Sequence, residues 1–260
     1  MPQLRIGIQL ECLRLPFKQA LHTAARLGAS GVEIDARTGL RPQELSDTGR
    51  RQLRKMLDDL NLRVAAIRFL TRRGYDVADD LDKRMEATKL AMRFAHTLGA
   101  SVVVNQIGVV PEDPLDPSAD QLRSCLCDLA RYGQHVGAVL AAETGAEPGE
   151  RLASLLGNLQ EPTLGIAFNP GNLILNGFSA EQALQMCAPW VVHVCSRDAV
   201  RDLARKRGIE VALGQGSAEF PEIIGRLEER QYRGWYIVDR DRCDAPVTEV
   251  GYAIQYLQSL

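Results

Sequence analysis

Four short apolar runs in the second half of this chain each end in a side chain that can hold a metal ion or carry a proton. They are Glu143 after Ala138-Val-Leu-Ala-Ala142, Asn169 after Gly165-Ile-Ala-Phe168, Cys195 in Val191-Val-His-Val-Cys195, and Asp239 after Trp235-Tyr-Ile-Val238. Two carboxylates converging on one substrate can move a proton on and off carbon. Carboxylate, amide oxygen and thiolate are also metal donors, the oxygens suiting a hard ion such as manganese and the thiolate a softer one such as zinc. The same four groups could equally form a neutral, hydrogen-bonded floor with no tight metal.

These groups act together only if the ends of separate strands meet, and the pattern along the chain provides for that. Apolar runs at 4–10, 31–35, 63–69, 101–107, 138–143, 164–169, 190–195 and 234–239 alternate with helical stretches. The helical stretches fall at 17–27, 48–60, 82–98, 119–136, 149–159, 179–187, 220–230 and 247–257. In the first of them Phe17, Ala20, Leu21, Ala24, Ala25 and Leu27 recur at helical spacing and Gly28 closes the stretch. Runs such as Val102-Val-Val104 are apolar at consecutive positions, as expected for parallel strands covered on both faces.

Strand–helix units filling 260 residues predict the α/β class and a single (β/α)8 barrel domain over residues 1–260. The competing open sheet carries a Gly-rich phosphate loop after its first strand. Here that loop is Glu11-Cys-Leu-Arg-Leu-Pro16, so no nucleotide cofactor is expected. The segments 71–81 and 109–117 are too short for domain linkers and are expected to be lids or rim segments over the active end.

In such a barrel chemistry gathers at the carboxyl ends of the strands. Residues two apart on a strand share a face, so His193, Cys195 and Arg197 look the same way. His193 then lies one layer deeper, and Arg197 reaches the rim, where it suits an anionic or polyhydroxy substrate. The other histidines, His22, His96 and His135, fall in or at the ends of helices. Arg68, Asn105 and Asn172 complete the expected substrate contacts, with loop capping as the other reading of the two asparagines. Glu33 and Asp35 are expected to form structural salt bridges.

With 31 Lys plus Arg against 33 Asp plus Glu, the chain has no basic field for nucleic acid and no acidic field for a basic partner. Its start lacks a signal-peptide pattern, and no apolar stretch approaches the roughly 20 residues of a membrane span, so a cytoplasmic location with no membrane partner is expected. The cysteines at 12, 125, 127, 187, 195 and 243 show no paired CxxC spacing and read as small buried hydrophobes, Cys195 excepted. A sugar-like small molecule is the expected partner, and assembly as a homo-oligomer stays open.

At these residues the chain resembles the xylose isomerase-like TIM barrels, a superfamily of sugar isomerases and epimerases that also includes zinc-dependent abasic-site endonucleases. The resemblance spans nearly the whole chain. It is carried by Leu27-Gly-Ala-Ser-Gly-Val-Glu33, Leu98-Gly-Ala-Ser-Val102, Phe168-Asn-Pro-Gly-Asn172, His193-Val-Cys-Ser-Arg-Asp198, Leu213-Gly-Gln-Gly216 and Tyr232-Arg-Gly-Trp-Tyr-Ile-Val-Asp239. In epimerases of that superfamily one divalent ion is held by Glu, Asp, His and Glu on the fifth to eighth strands. The matching positions here are Glu143, Asn169, Cys195 and Asp239, of which Glu143 alone keeps the family's residue type.

The resemblance implies a sugar or sugar phosphate isomerase or epimerase in which Glu143 and Asp239 exchange protons with the substrate. If no metal polarises the carbonyl, Arg68 or Arg197 would have to stabilise the enediolate. A lyase or dehydratase on the same scaffold begins with the same proton abstraction, and a non-catalytic carbohydrate-binding barrel is the rival from another class. The endonuclease branch needs clustered histidines and a basic surface, which this chain does not offer.

Overall fold

A computed structural model describes residues 4–113, 116–160, 164–202 and 207–260. The predicted units appear in order, beginning with β1 (Arg5–Gln9), α1 (Phe17–Arg26), β2 (Gly31–Asp35), α2 (Asp47–Asp59), β3 (Arg63–Arg68), α3 (Leu81–Thr97), β4 (Val102–Asn105) and α4 (Pro117–Val136). Next come β5 (Val139–Glu143), α5 (Gly149–Gly157), β6 (Gly165–Phe168), α6 (Pro170–Leu175), α7 (Ala180–Cys187) and β7 (Val191–Ser196). The chain ends with β8 (Asp198–Asp202), β9 (Arg207–Val211), α8 (Phe220–Glu229), β10 (Trp235–Val238) and α9 (Pro246–Gln258). The strands β1-β10-β7-β6-β5-β4-β3-β2 close into one barrel, each paired parallel with its neighbours. The chain is thus a single (β/α)8 barrel. Positions 114 and 115 of the expected rim segment 109–117 lie outside the described residues.

The repeated Leu-Gly-Ala-Ser after α1 and α3 is turn chemistry. Gly28 (φ +89°) and Gly99 (φ +78°) adopt the left-handed conformation just past each helix, where a side chain would be strained. The next residues, Ala29 and Ala100, donate back to Ala24 and Ala95 and turn the chain toward the following strand. Helices pack their apolar faces on the outside of the barrel, burying Leu21, Leu126, Leu129, Phe220 and Leu257 completely.

Inside the barrel the buried residues are small: Ala66, Val102, Val104, Ala141, Ala167 and Cys195 form one cluster. Strand register fixes which residues share that inner face. Glu33 pairs with Ala66, Arg68 with Val104, Glu143 with Ala167, Ala167 with His193, and Ile237 with Cys195. Small residues below and long polar ones above leave the mouth to the charged side chains.

Two features have no counterpart in the sequence reading. Helix α6 starts directly at β6, with Pro170 in its first turn and Asn169 as its cap. Six residues are too few to show a helical period. The strands β8 and β9 pair antiparallel as a hairpin hung from β7. Asp198 at its base receives the backbone N–H groups of Ala199, Gly214, Gly216 and Ala218, which accounts for Leu213-Gly-Gln-Gly216 as a loop folded around one carboxylate.

The βα loops are pinned by buried polar groups. Glu147, on the loop after β5, is 2% exposed and accepts the Val110 N–H at 3.1 Å. Burial pushes its carboxyl up from 4.5 to about 7, against the pull of the Val110 N–H and Arg151 and with Asp76 adding to the push. The folded chain therefore holds this proton more tightly than the unfolded one. The stability it contributes is complete below about pH 4.5 and is lost as pH rises through about 7. Glu147→Gln keeps the acceptor and removes the titration. Its unfolding free energy should exceed that of wild type at about pH 8 and lose the advantage near pH 5, measured by urea denaturation across pH.

Candidate active site

Arg68 stands at the end of β3 with its guanidinium inside the mouth, 7% exposed. Its Nη2 donates to Glu143 Oε1 at 2.9 Å, its Nη1 to Glu33 Oε1 at 3.3 Å, and Nη1 lies 3.8 Å from Asp239 Oδ2. Three carboxylates from β2, β5 and the end of β10 thus share one cation. Burial works against the charge of Arg68, but Glu143, Asp239 and Glu33 hold its proton more firmly than in water.

Beneath it, Glu33 and His193 are both fully buried, and His193 Nε2 is 2.9 Å from Glu33 Oε2. The two atoms are within hydrogen-bond distance, though the ring is not well aligned for the bond. Burial pushes the Glu33 carboxyl up, yet His193 and Arg68 together hold it below its ordinary value. The salt-bridge role expected for Glu33 fits this geometry, with Arg68 as its partner. His193 lies one layer below the mouth, as the period of two requires, and touches Glu33 where a substrate contact was expected.

Asn169 makes two bonds that fix the direction of its amide. Its oxygen accepts the Asn172 N–H at 2.9 Å, capping α6, and its Nδ2 donates to Glu143 Oε1 at 2.9 Å. Because the cap demands an oxygen, the NH2 must face Glu143. Cys195 is 1% exposed, with Sγ 3.9 Å from Glu143 Oε1. Burial, with Glu143 and Glu33 adding to it, keeps this group a protonated thiol.

Asp239 is 4% exposed, and its Oδ2 has no hydrogen-bond partner among the described residues. Burial pushes its carboxyl up to about 6, against the pull of Arg68 and Arg197. Arg197 reaches it from the rim, with Nη1 at 3.9 Å from Oδ2. The rest of that guanidinium is engaged: Nε with Glu210 at 3.1 Å, Nη1 with Asn172 Oδ1 at 3.2 Å, and Nη2 with Asp241. Arg197 therefore ties β7, α6, β9 and the loop after β10 together, with Asn172 as a brace.

Asn105 takes the loop-capping reading and not the substrate contact. Val104, not Asn105, pairs with Arg68, so Asn105 faces away from the barrel interior, and its Nδ2 donates to the Phe69 carbonyl. It anchors the loop after β3. Asp35 is likewise a loop cap, its Oδ1 accepting the N–H groups of Arg37 and Thr38 at 2.7 Å each. Two residues that the sequence reading gave no role do shape the site. Glu11, in the short 3-10 turn after β1, is pushed up to about 7 by burial, with Asp35 and Glu33 adding to the push. Glu210 holds Arg197 and the N–H groups of Asp241 and Arg242. The alternation Gly208-Ile-Glu-Val211, opposite Asp198-Ala-Val-Arg-Asp202, is the signal that could have shown the hairpin carrying Glu210.

Residues 21–260 match the xylose isomerase-like TIM barrel family over nearly the whole chain. The chain belongs to that family. Among curated relatives it is 22% identical to an inosose dehydratase of Clostridium botulinum, over 92% of this chain and 87% of the relative. An inosose dehydratase of Clostridium beijerinckii is 24% identical over the same shares. A xylose isomerase domain protein from Planctomyces limnophilus shares the fold with a TM-score of 0.87 at 24% identity, covering 99% of this chain and 97% of that one. A family barrel from Mycobacterium smegmatis, solved in complex with magnesium, superposes with a TM-score of 0.75 at 17% identity over 94% and 88% of the two chains.

The family thus raises a divalent ion, and the expected quartet of Glu143, Asn169, Cys195 and Asp239 can be tested as its ligands. It does not fit. The Asn169 oxygen is committed to capping α6, so the side chain turns its NH2 toward the centre. The Cys195 Sγ lies 3.9 Å from Glu143 Oε1, on the same oxygen that Asn169 and Arg68 already occupy. The two carboxylates that remain lie against the Arg68 cation. Among the described residues no three His, Cys, Asp or Glu side chains are grouped to hold an ion. Of the two expectations for these four residues, their contacts match the hydrogen-bonded floor more closely than a zinc or manganese site.

Asn169 is the residue through which the arrangement can be probed. Asn169→Asp keeps the cap oxygen but sets a carboxylate against Glu143 and removes a donor. It should cost about 1–3 kcal/mol of stability at neutral pH, with less cost in acid, where the new carboxyl is protonated. Urea unfolding of both chains across pH measures this, and equal stability would show that the amide is not needed.

Proposed function

We propose that this chain is an enzyme that moves a proton at the carbon beside the carbonyl of a polyhydroxy, sugar-like ketone. The reading rests on one observation, the Arg68 guanidinium held between Glu143 at 2.9 Å and Asp239 at 3.8 Å. A cation between two carboxylates is what enolisation requires. The cation accepts the charge that develops on the carbonyl oxygen, and the carboxylates take and return the proton. Glu143 Oε2 and Asp239 Oδ2 are buried without hydrogen-bond partners among the described residues, so each keeps a lone pair for a substrate proton or hydroxyl. With a carboxyl pushed up to about 6, Asp239 can hold and release a proton near neutrality.

Two outcomes share that first step. Return of the proton to the opposite face gives an epimer, and its return to the neighbouring carbon gives an isomer. Alternatively the hydroxyl one carbon further on leaves as water: it takes the Asp239 proton, its C–O bond breaks, and the electron pair of the enediolate forms the new double bond. Similarity to inosose dehydratases over 92% of the chain favours this dehydratase outcome as the second reading. A substrate of either kind is held by its hydroxyls and carbonyl, with Arg68 the first contact.

The test is solvent deuterium exchange on a panel of inososes and open-chain ketoses, with products separated to distinguish epimer, isomer and dehydrated ketone. Glu143→Gln should lower exchange by about 100-fold or more, the scale of a lost general base. Unchanged turnover would remove Glu143 from the mechanism. Binding of a panel member with no exchange at all would favour the non-catalytic carbohydrate-binding barrel.

A further inference from the structure

We infer that Arg68 is a resident cation standing in for the divalent ion, so that this barrel is built to exclude a metal. The inference goes beyond the proton-transfer reading and does not depend on it. It starts from where the guanidinium lies. Its two terminal nitrogens contact Glu143, Glu33 and Asp239, and Glu143 and Asp239 are the carboxylates that remain at the family's ligand positions. A dication entering between them would meet a fixed positive charge that cannot be deprotonated and cannot leave.

The other departures from the family pattern point the same way. Where the superfamily places an anionic Asp, Asn169 presents NH2 to Glu143 at 2.9 Å, a donor where a metal needs an acceptor. Where it places His, Cys195 directs a thiol at the same Glu143 oxygen. On the far side of Asp239 a second guanidinium, Arg197, stands 3.9 Å away. Asn169 and Cys195 each turn a donor toward Glu143, and Arg197 adds positive charge beside Asp239. Together they match a permanent cation and would oppose an exchangeable one.

Calorimetric titration of the full chain with Mn2+ and with Zn2+ tests this without any substrate. Wild type should bind neither ion in a way that depends on Glu143, so any residual binding should survive Glu143→Gln. Arg68→Gln should gain one ion per chain, lost again when Glu143→Gln is added, and its melting temperature should rise with that ion while the wild-type value stays still. Because removing a buried cation can unfold the chain, Arg68→Gln combined with Asn169→Asp is refolded with and without each ion. Recovery only with the ion supports the inference. It is overturned by wild-type binding that Glu143→Gln abolishes, by a folded Arg68→Gln chain that takes no ion, or by both variants staying unfolded whatever ion is supplied.

Discussion

The mouth of this barrel depends on one buried charge. Taking a guanidinium out of water costs several kcal/mol even after relaxation. A carboxylate 2.9 Å away, as Glu143 is from Arg68, returns roughly 6 kcal/mol at an effective dielectric near 20. Arg68 also meets Glu33 and approaches Asp239. Equally, three buried carboxylates close together would repel one another without a cation among them. The cluster is stable only as a whole, and loss of Arg68 would leave uncompensated anions where water cannot easily reach them.

That constraint propagates into packing. A long side chain can lie across the barrel only if the layer beneath is shallow, and Ala66, Ala141, Ala167 and Cys195 provide that shallowness. Below Arg68, Glu33 and His193 form a second polar layer inside an otherwise apolar shell. Above it, Arg197 joins β7 to α6 through Asn172 and to the β8–β9 hairpin through Glu210. The hairpin is therefore more than an ornament on the barrel, because it carries the carboxylate that orients the rim arginine beside Asp239.

The barrel was legible in the sequence because its signals are local and repeated. Apolar runs and helical spacing recur unit after unit, Leu-Gly-Ala-Ser turns mark two of the units, and the inward face of His193 and Cys195 follows from a period of two. The site was legible only as a set of strand ends. No spacing rule says that Arg68 reaches across the barrel to Glu143, since that depends on the small residues beneath it. Asn105 stayed open between two roles because a strand-end asparagine reads alike whether it faces inward or outward; the register with β3 decides the matter, and register is not local. Helix α6 escaped for want of length, yet it fixes the direction of the Asn169 amide.

That direction bears on the chemistry. Glu143 Oε1 receives Arg68 and Asn169 together, so this oxygen is immobilised, while Oε2 is buried without a hydrogen-bond partner among the described residues. Asp239 is held differently: its two guanidinium neighbours stand at 3.8 and 3.9 Å, beyond hydrogen-bond distance, and burial keeps its proton available near neutrality. The two carboxyls are therefore unequal partners, one clamped and one loosely held. An epimerase returning a proton to either face is best served by two similar groups. A dehydratase needs one group to take the carbon proton and another to deliver a proton to the departing hydroxyl. Glu143 and Asp239 thus differ in how firmly the fold holds them, and any proton transfer at this mouth would meet that asymmetry.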